Sequence, residues 1–198
     1  MGRRSGGAAI AAGVEVAMAA AQDGAGEGGH PVHGDRTLTE MTQILLPGHT
    51  NALGDAFGGQ IAAWVDVCAA VSAQRFCRGP VVTASMDQLH FLRPVRRGMV
   101  VVLQARINQA WRTSMEIGVR VDAEDPATGQ RQHCCSAYLT FVKLDPDGRP
   151  AAVPALDPGP DPIALRRQHE AELRRESRLA LRDLLRAHQA RASDRPAG

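Results

Sequence analysis

Gly54-Asp55-Ala56-Phe57-Gly58-Gly59-Gln60, running on into Ile61-Ala62-Ala63-Trp64-Val65-Asp66-Val67-Cys68-Ala69-Ala70-Val71, is the stretch on which the rest of the chain turns. Past Gly59 the residues are apolar on every side of a helix, and Asp66 is the only carboxylate before Arg75. A helix apolar all round belongs in a protein interior, where a carboxylate is costly unless it is paired or used chemically. The Gly-Gly pair at the helix start leaves backbone N–H groups unpaired and partly positive, which suits an oxyanion. A buried acid beside an anion-stabilising helix end points to hydrolysis.

Working outward, Leu38, Met41, Ile44, Leu45 and Leu46 precede the turn signal Pro47-Gly48 and predict a first strand. A loop from His49 to Ala56 leads into a helix over Gly58 to Phe76. After Arg78-Gly79-Pro80 the pattern changes to that of strands, over Val81–Leu92 and Met99–Asn108. Met115, Ile117, Val119 and Val121 alternate with Ser114, Glu116, Gly118, Arg120 and Asp122, which predicts a strand with one buried face. The turn chemistry of Asp125-Pro126-Ala127-Thr128-Gly129 then introduces a strand over Gln132–Leu144. A long helix followed by closely connected strands implies an antiparallel sheet with a helix on one face, an α+β fold.

The folded domain is thus expected over residues 36–148. Residues 1–35 read as a disordered Gly- and Ala-rich arm, and 149–160 as a proline-rich linker. A charged C-terminal helix follows over 161–191, capped by Asp161 and started by Pro162, with a tail over 192–198. In that helix Glu170 and Arg174 are spaced as an i,i+4 pair. Leu165, Leu173, Leu181, Leu184 and Leu185 form only a partial apolar stripe. Its arginines are expected on a solvated mixed-charge face, with the helix docked on the outside of the domain or on a neighbouring subunit.

The 198 residues suffice for one buried core, and a formal charge of +2 with 4% aromatics argues against nucleic acid as a partner. Cys68, Cys77, Cys134 and Cys135 contain no C-x-x-C, so neither a zinc site nor a disulfide framework is expected, and reduced thiols in the cytoplasm are. Glu15 and glycines interrupt the apolar N-terminal stretch, which argues against a secretory signal, and no run is long enough to span a membrane.

Four segments in order carry a family resemblance: Asn51-Ala52-Leu53-Gly54-Asp55-Ala56-Phe57-Gly58-Gly59; Trp64-Val65-Asp66-Val67; Val82-Thr83-Ala84-Ser85-Met86-Asp87 with Phe91-Leu92-Arg93-Pro94; and Arg112-Thr113-Ser114-Met115-Glu116. Over residues 37–148 the chain resembles the acyl-CoA thioesterases of the hot-dog fold, in the branch of the YciA-type enzymes and brain acyl-CoA hydrolase. The resemblance implies a single hot-dog domain, in which an antiparallel sheet wraps one long central helix. It also implies homodimers, often assembled as trimers of dimers, with active sites between protomers and acyl-CoA as substrate. No cofactor is implied, since CoA is part of the substrate.

By the same resemblance Asp66 is the catalytic carboxylate, acting as general base or as nucleophile. Asp55 acts from the opposing protomer, and the N–H groups of Gly58 and Gly59 hold the oxyanion. Asn51, Arg93, Arg112, Thr113 and Ser114 are the candidates for substrate and CoA binding. Seven residues separate Gly59 from Asp66, roughly 10 Å along a helix and too far for one carbonyl carbon, so two antiparallel helices across a two-fold axis are expected to complete each site. His49 and His90 lack an evident acid or nucleophile partner and are expected in ordinary polar roles, and Cys134 and Cys135, with no basic partner evident, as structural thiols. The alternatives are a non-catalytic acyl-CoA-binding regulator and a hot-dog hydratase or dehydratase, the latter disfavoured because no histidine lies in the central helix.

Overall fold

The computed structural model of the chain describes residues 31–193. The expected N-terminal arm lies outside them, apart from residues 31–35. In chain order the elements are β1 (Val32–His33), β2 (Thr39–Ile44), α1 (Gly58–Cys77), β3 (Val81–Phe91), β4 (Val100–Ala110), β5 (Ser114–Glu124), β6 (Arg131–Lys143), β7 (Leu156–Asp157) and α2 (Pro162–Ser193). Strands β2 to β6 form one antiparallel sheet in the order β2-β4-β5-β6-β3, so β3 and β2 are its edges. This is the hot-dog arrangement, and α1 lies against the concave face.

The core follows from two periodicities meeting. Met115, Ile117, Val119 and Val121 of β5 point inward with Leu103 of β4 and Leu139 of β6, against Ile61, Val65, Cys68, Ala69 and Phe76 of α1. The α1 C-terminus closes on Arg78, which adopts a left-handed conformation (φ 51°) and donates its N–H to the Gln74 carbonyl at 2.8 Å. Contrary to the all-round burial expected, α1 keeps one stripe open: Ala63 and Gln74 are exposed, Val67 is 52% exposed, and Asp66 is half-buried. Helix α1 therefore sits on the sheet rather than inside a closed interior.

Strand pairing begins before residue 36, the expected start of the domain. The Val32 N–H donates to the Ala155 carbonyl at 2.9 Å, and β1 pairs in parallel with β7. The stretch expected as a linker is laid down on the domain, with Val153 buried and its N–H donating to the Arg112 carbonyl at 3.0 Å. The two segments order each other, a pairing of distant residues that local composition does not reveal.

Helix α2 covers the convex face, and for this reason β5 is buried on both sides over its first half. Glu116, on the outward face, is 0% exposed. It accepts bonds from Arg174 Nε (3.1 Å), Arg174 Nη2 (2.7 Å) and Asn108 Nδ2 (3.0 Å), while the Arg174 guanidinium also lies 3.7 Å above the Tyr138 ring. Trp111 Nε1 and Gln109 Nε2 both donate to Glu172, and Arg178 pairs with Asp87 of β3. Against the expectation of a solvated mixed-charge face, these arginines are turned toward the sheet, because its convex face offers them otherwise unpaired carboxylates. Leu165, Leu173, Leu181, Leu184 and Leu185 point outward instead. Among the described residues no helix is long and apolar enough to cross a membrane.

Candidate active site

The loop before α1 is held by its own side chains. Asn51 Oδ1 accepts the N–H groups of Leu53 (2.9 Å) and Asp55 (3.2 Å), and Gly54, at φ 81°, makes the turn that only glycine adopts without strain. The loop is then pinned to the chain entering β4, with Asp55 bridged to Arg96 and the Ala56 N–H donating to the Val95 carbonyl at 2.8 Å. This fixes where α1 starts. Gln60 and Ile61 donate their N–H groups to the Phe57 carbonyl, and no side chain caps the helix. Among the described residues the N–H groups of Gly58 and Gly59 have no acceptor, as an oxyanion site requires.

Beside this helix end is a cleft of about 370 Å³ whose lining includes Asn51, Asp55, Gly58, Phe91, Arg93 and Cys135. Four of the sequence-expected residues thus meet in one place. A Cβ on Gly58 would stand 3.4 Å from Phe91 Cζ at the cleft wall, so the bare backbone is what keeps the approach open. Gly59 differs in role: its side does not line the cleft, and a Cβ there would come within 2.6 Å of Phe57 Cε1. Its missing side chain makes room for the Phe57 ring, while its N–H stays available.

Asp66 is not in this cleft. Its Oδ1 accepts a bond from Thr83 Oγ1 at 2.7 Å, and among the described residues nothing else bonds to the carboxylate. Eight helix residues from Gly58 to Asp66 correspond to roughly 12 Å. Strand β3 runs antiparallel to α1, so Gly58 faces Phe91 at one end of that strand and Asp66 faces Thr83 near the other. The two halves of the expected machinery lie roughly 12 Å apart, one at the N-terminus of α1 and the other in its middle.

The CoA-binding candidates separate in the same way. Arg93 lines the cleft, with Nη1 donating to Gln132 Oε1 at 3.3 Å. Arg112, Thr113 and Ser114 sit at the Asp66 end, where Ser114 and Val82 both register with Val142. Arg112 is exposed there, whereas Thr113 and Ser114 are each 1% exposed, and the Arg112 and Thr113 carbonyls accept the Val153 and Lys143 N–H groups. His49 packs edge-on against Trp64 at 5.0 Å and its Nδ1 accepts the Leu46 N–H at 3.3 Å. Burial pushes the Cys135 thiol up to about 11 and raises that of Cys134, so neither presents a thiolate.

Two residues of this geometry were not singled out from the sequence. Thr83 was legible only as part of a strand, although a hydroxyl on the face that otherwise packs against α1 is the signal that marks it. Phe91 forms the cleft wall and reads in sequence simply as the end of a strand.

A five-stranded sheet around one helix, with a cleft at the helix N-terminus, defines a hot-dog thioesterase. The thioesterase superfamily model matches residues 53–130. Acyl-CoA thioester hydrolase YciA of Escherichia coli is 38% identical over 117 residues, covering 58% of this chain and 89% of its own. Acyl-coenzyme A thioesterase 11 of Mus musculus is 38% identical over 160 residues, covering 80% of this chain, but the match spans only 27% of the mouse protein. Among solved structures, the acyl-CoA hydrolase of Staphylococcus aureus in complex with butyryl-CoA and CoA superposes at a TM-score of 0.76 with 28% identity, covering 83% of this chain and all of its own. That hydrolase has also been solved as single alanine variants of an asparagine, an aspartate and a threonine. A hexameric acyl-CoA thioesterase superposes at 0.71 with 34% identity, covering 84% of this chain and 98% of that one. The chain belongs to the thioesterase superfamily, among its acyl-CoA thioester hydrolases.

Proposed function

We propose that the protein hydrolyses acyl-CoA thioesters to the free acid and CoA, at sites each built from two protomers. The observation that carries this is the helix end where two unpaired N–H groups open on a cleft shared by Asn51, Asp55 and Arg93, paired with a Thr83-anchored carboxylate roughly 12 Å along the helix. The thioester carbonyl oxygen accepts the Gly58 and Gly59 N–H groups, and Asn51 and Asp55 position the bound water or thioester. The partner's Asp66, with Oδ1 held by Thr83, takes a proton from water through Oδ2. The water oxygen adds to the carbonyl carbon, the C–S bond breaks, and the CoA thiolate leaves and is protonated. Cys135 and Ile61 line the apolar side of the cleft and Arg93 its polar mouth, where the nucleotide phosphates of CoA find a cation.

Three features support the dimer. Strand β3 is a long edge with Asp87 as its only charged residue in Val81–Phe91, and such an edge seeks a pairing partner. Val67 on the open stripe of α1 and Met86 on β3 are exposed apolar residues beside it. A two-fold axis through Met86 would set the partner's Thr83 opposite Leu89, moving the partner's Asp66 toward Phe91 and the cleft. The asparagine, aspartate and threonine changed in the S. aureus hydrolase stand at the same intervals as Asn51, Asp66 and Thr83 here. Assembly as a trimer of dimers draws its support from the hexameric relative.

The test is a thiol-release assay with several acyl-CoAs on the native chain and on Asp66→Asn. The variant is expected to keep its oligomeric state and lose on the order of 100- to 10,000-fold in kcat. Undiminished turnover would remove Asp66 from the mechanism, and tight acyl-CoA binding without turnover in the native chain would favour a regulator.

A further inference from the structure

On the convex face, remote from the cleft, β4, β5, β6 and the first turns of α2 enclose a second groove of about 200 Å³. Four guanidinium groups border it: Arg106 from β4, Arg120 from β5, and Arg166 and Arg167 from α2. Among the described residues Glu170 is the only carboxylate in its lining. Arg120 is held by Asp122 at 2.9 Å and Arg166 lies 3.6 Å from Glu170, but among the described residues Arg167 has no carboxylate within ion-pair distance. Burial first, and then the like charge of Arg106, lowers the Arg167 pKa below its ordinary value, partly offset by Asp161.

The rest of the lining is polar but engaged: Gln104 Nε2 donates to Glu40 at 2.9 Å and Asn108 Nδ2 to Glu116 at 3.0 Å. The Ser136 hydroxyl lies 3.1 Å from His133 Nε2, whose Nδ1 faces Asp122 at 3.3 Å. This serine–histidine–aspartate line resembles a nucleophilic triad, but the backbone N–H groups of β5 and β6 around it are committed to the sheet ladder and leave no oxyanion site. Its role is to orient the hydroxyl at the groove. Gly118 opens the floor: its φ lies outside the left-handed region, and a Cβ there would strike Asn108 Nδ2 at 2.7 Å.

We propose that this groove is a binding site for a phosphorylated anion, held between Arg106 and Arg120 of the sheet and Arg166 and Arg167 of α2. Guanidinium forks match phosphate oxygens bidentately, and like charges gathered on two separate elements are relieved by a polyanion between them. The volume admits a diphosphate or the phosphate end of a larger molecule, since sites for drug-sized ligands run to about 300 Å³ and above. Because the anion would bridge the sheet and α2, its binding stabilises the docked helix and raises the unfolding temperature.

Titrating the full chain with inorganic pyrophosphate by calorimetry, with saturating CoA present, tests this independently of whether the chain turns over any thioester. One binding event per chain is expected, weakened roughly tenfold to a hundredfold by Arg167→Gln and by Arg106→Gln, retained in Arg167→Lys, and unchanged in Arg93→Gln. Circular dichroism checks that the groove variants fold. ADP binding more tightly than pyrophosphate would support the proposal and assign the site to a nucleotide. Equal binding would support it with the phosphates alone as the recognised group. Displacement by CoA, loss of binding in Arg93→Gln, equal binding by the groove variants, or absence of binding would each overturn it.

Discussion

At the scale of single residues the chemistry rests on how each acid or thiol is held. Thr83 Oγ1 fixes one oxygen of Asp66 and so aims the other, which makes Thr83 a positioning residue. A hydrogen bond to a charged group is strong enough that Thr83→Val should lower kcat about tenfold or more while leaving KM near its native value, and Thr83→Ser should restore most of the rate. Steady-state kinetics of the pair decides it, because a merely structural threonine would show no such split between kcat and KM. The cysteines call for the opposite result. With its thiol pushed from 9.0 up to about 11 by burial, Cys135 stays protonated at neutral pH, and Cys135→Ser should leave the pH 7 hydrolysis rate within about twofold of native. The same shift has a thermodynamic sign. Between pH 9.0 and about 11 the unfolded chain has released the Cys135 and Cys68 protons while the folded one retains them, so stability is fully present below 9.0 and falls as the pH rises through that window. Thermal melts across it should decline less steeply in Cys135→Ala than in the native chain.

At the scale of elements the two helices were unequally legible. Helix α1 could be read from Gly58, Gly59 and the apolar run after them, because its partners are apolar and one pattern specifies both sides of the contact. The strands followed from alternation and turn residues, as between Ser114 and Asp122. Helix α2 was legible as a helix docked outside the domain, but not in which side chains it turns inward, since Arg174 meets Glu116 across 58 residues and nothing local distinguishes an arginine that turns inward from one that turns to solvent. Thr113 and Ser114 likewise looked available in sequence, although the fold leaves each only 1% exposed. The contrast yields a prediction. Arg174→Ala leaves the fully buried Glu116 without its cation, at a cost of about 3–5 kcal/mol, which in a chain of this size lowers Tm by roughly 6–20 °C. Arg166→Ala, at a side chain 67% exposed, should leave Tm unchanged. Glu116→Leu combined with Arg174→Leu should recover most of the loss in a double-mutant melt, because an apolar pair of similar size removes the unpaired charge.

At the scale of the whole molecule the question is whether one chain is a complete enzyme. Gly58 and Asp66 lie roughly 12 Å apart along a helix that α-helical geometry keeps rigid, with Phe91 at one and Thr83 at the other, so no side-chain rotation brings the carboxylate to the cleft. The edge strand β3 and the open stripe through Val67 supply a surface on which a second copy would reverse the order and place carboxylate against cleft. Co-expression of two inactive variants tests the arrangement directly. Asp66→Asn removes the base. Gly58→Val fills the cleft, since the added side chain starts 3.4 Å from Phe91. In a mixed dimer one site carries both defects and the other carries neither, so an equimolar mixture, half of whose dimers are mixed, should recover about a quarter of native activity per subunit. Recovery no greater than the sum of the two variants alone would show that Asp66 and Gly58 act within one chain, and the shared site would have to be abandoned.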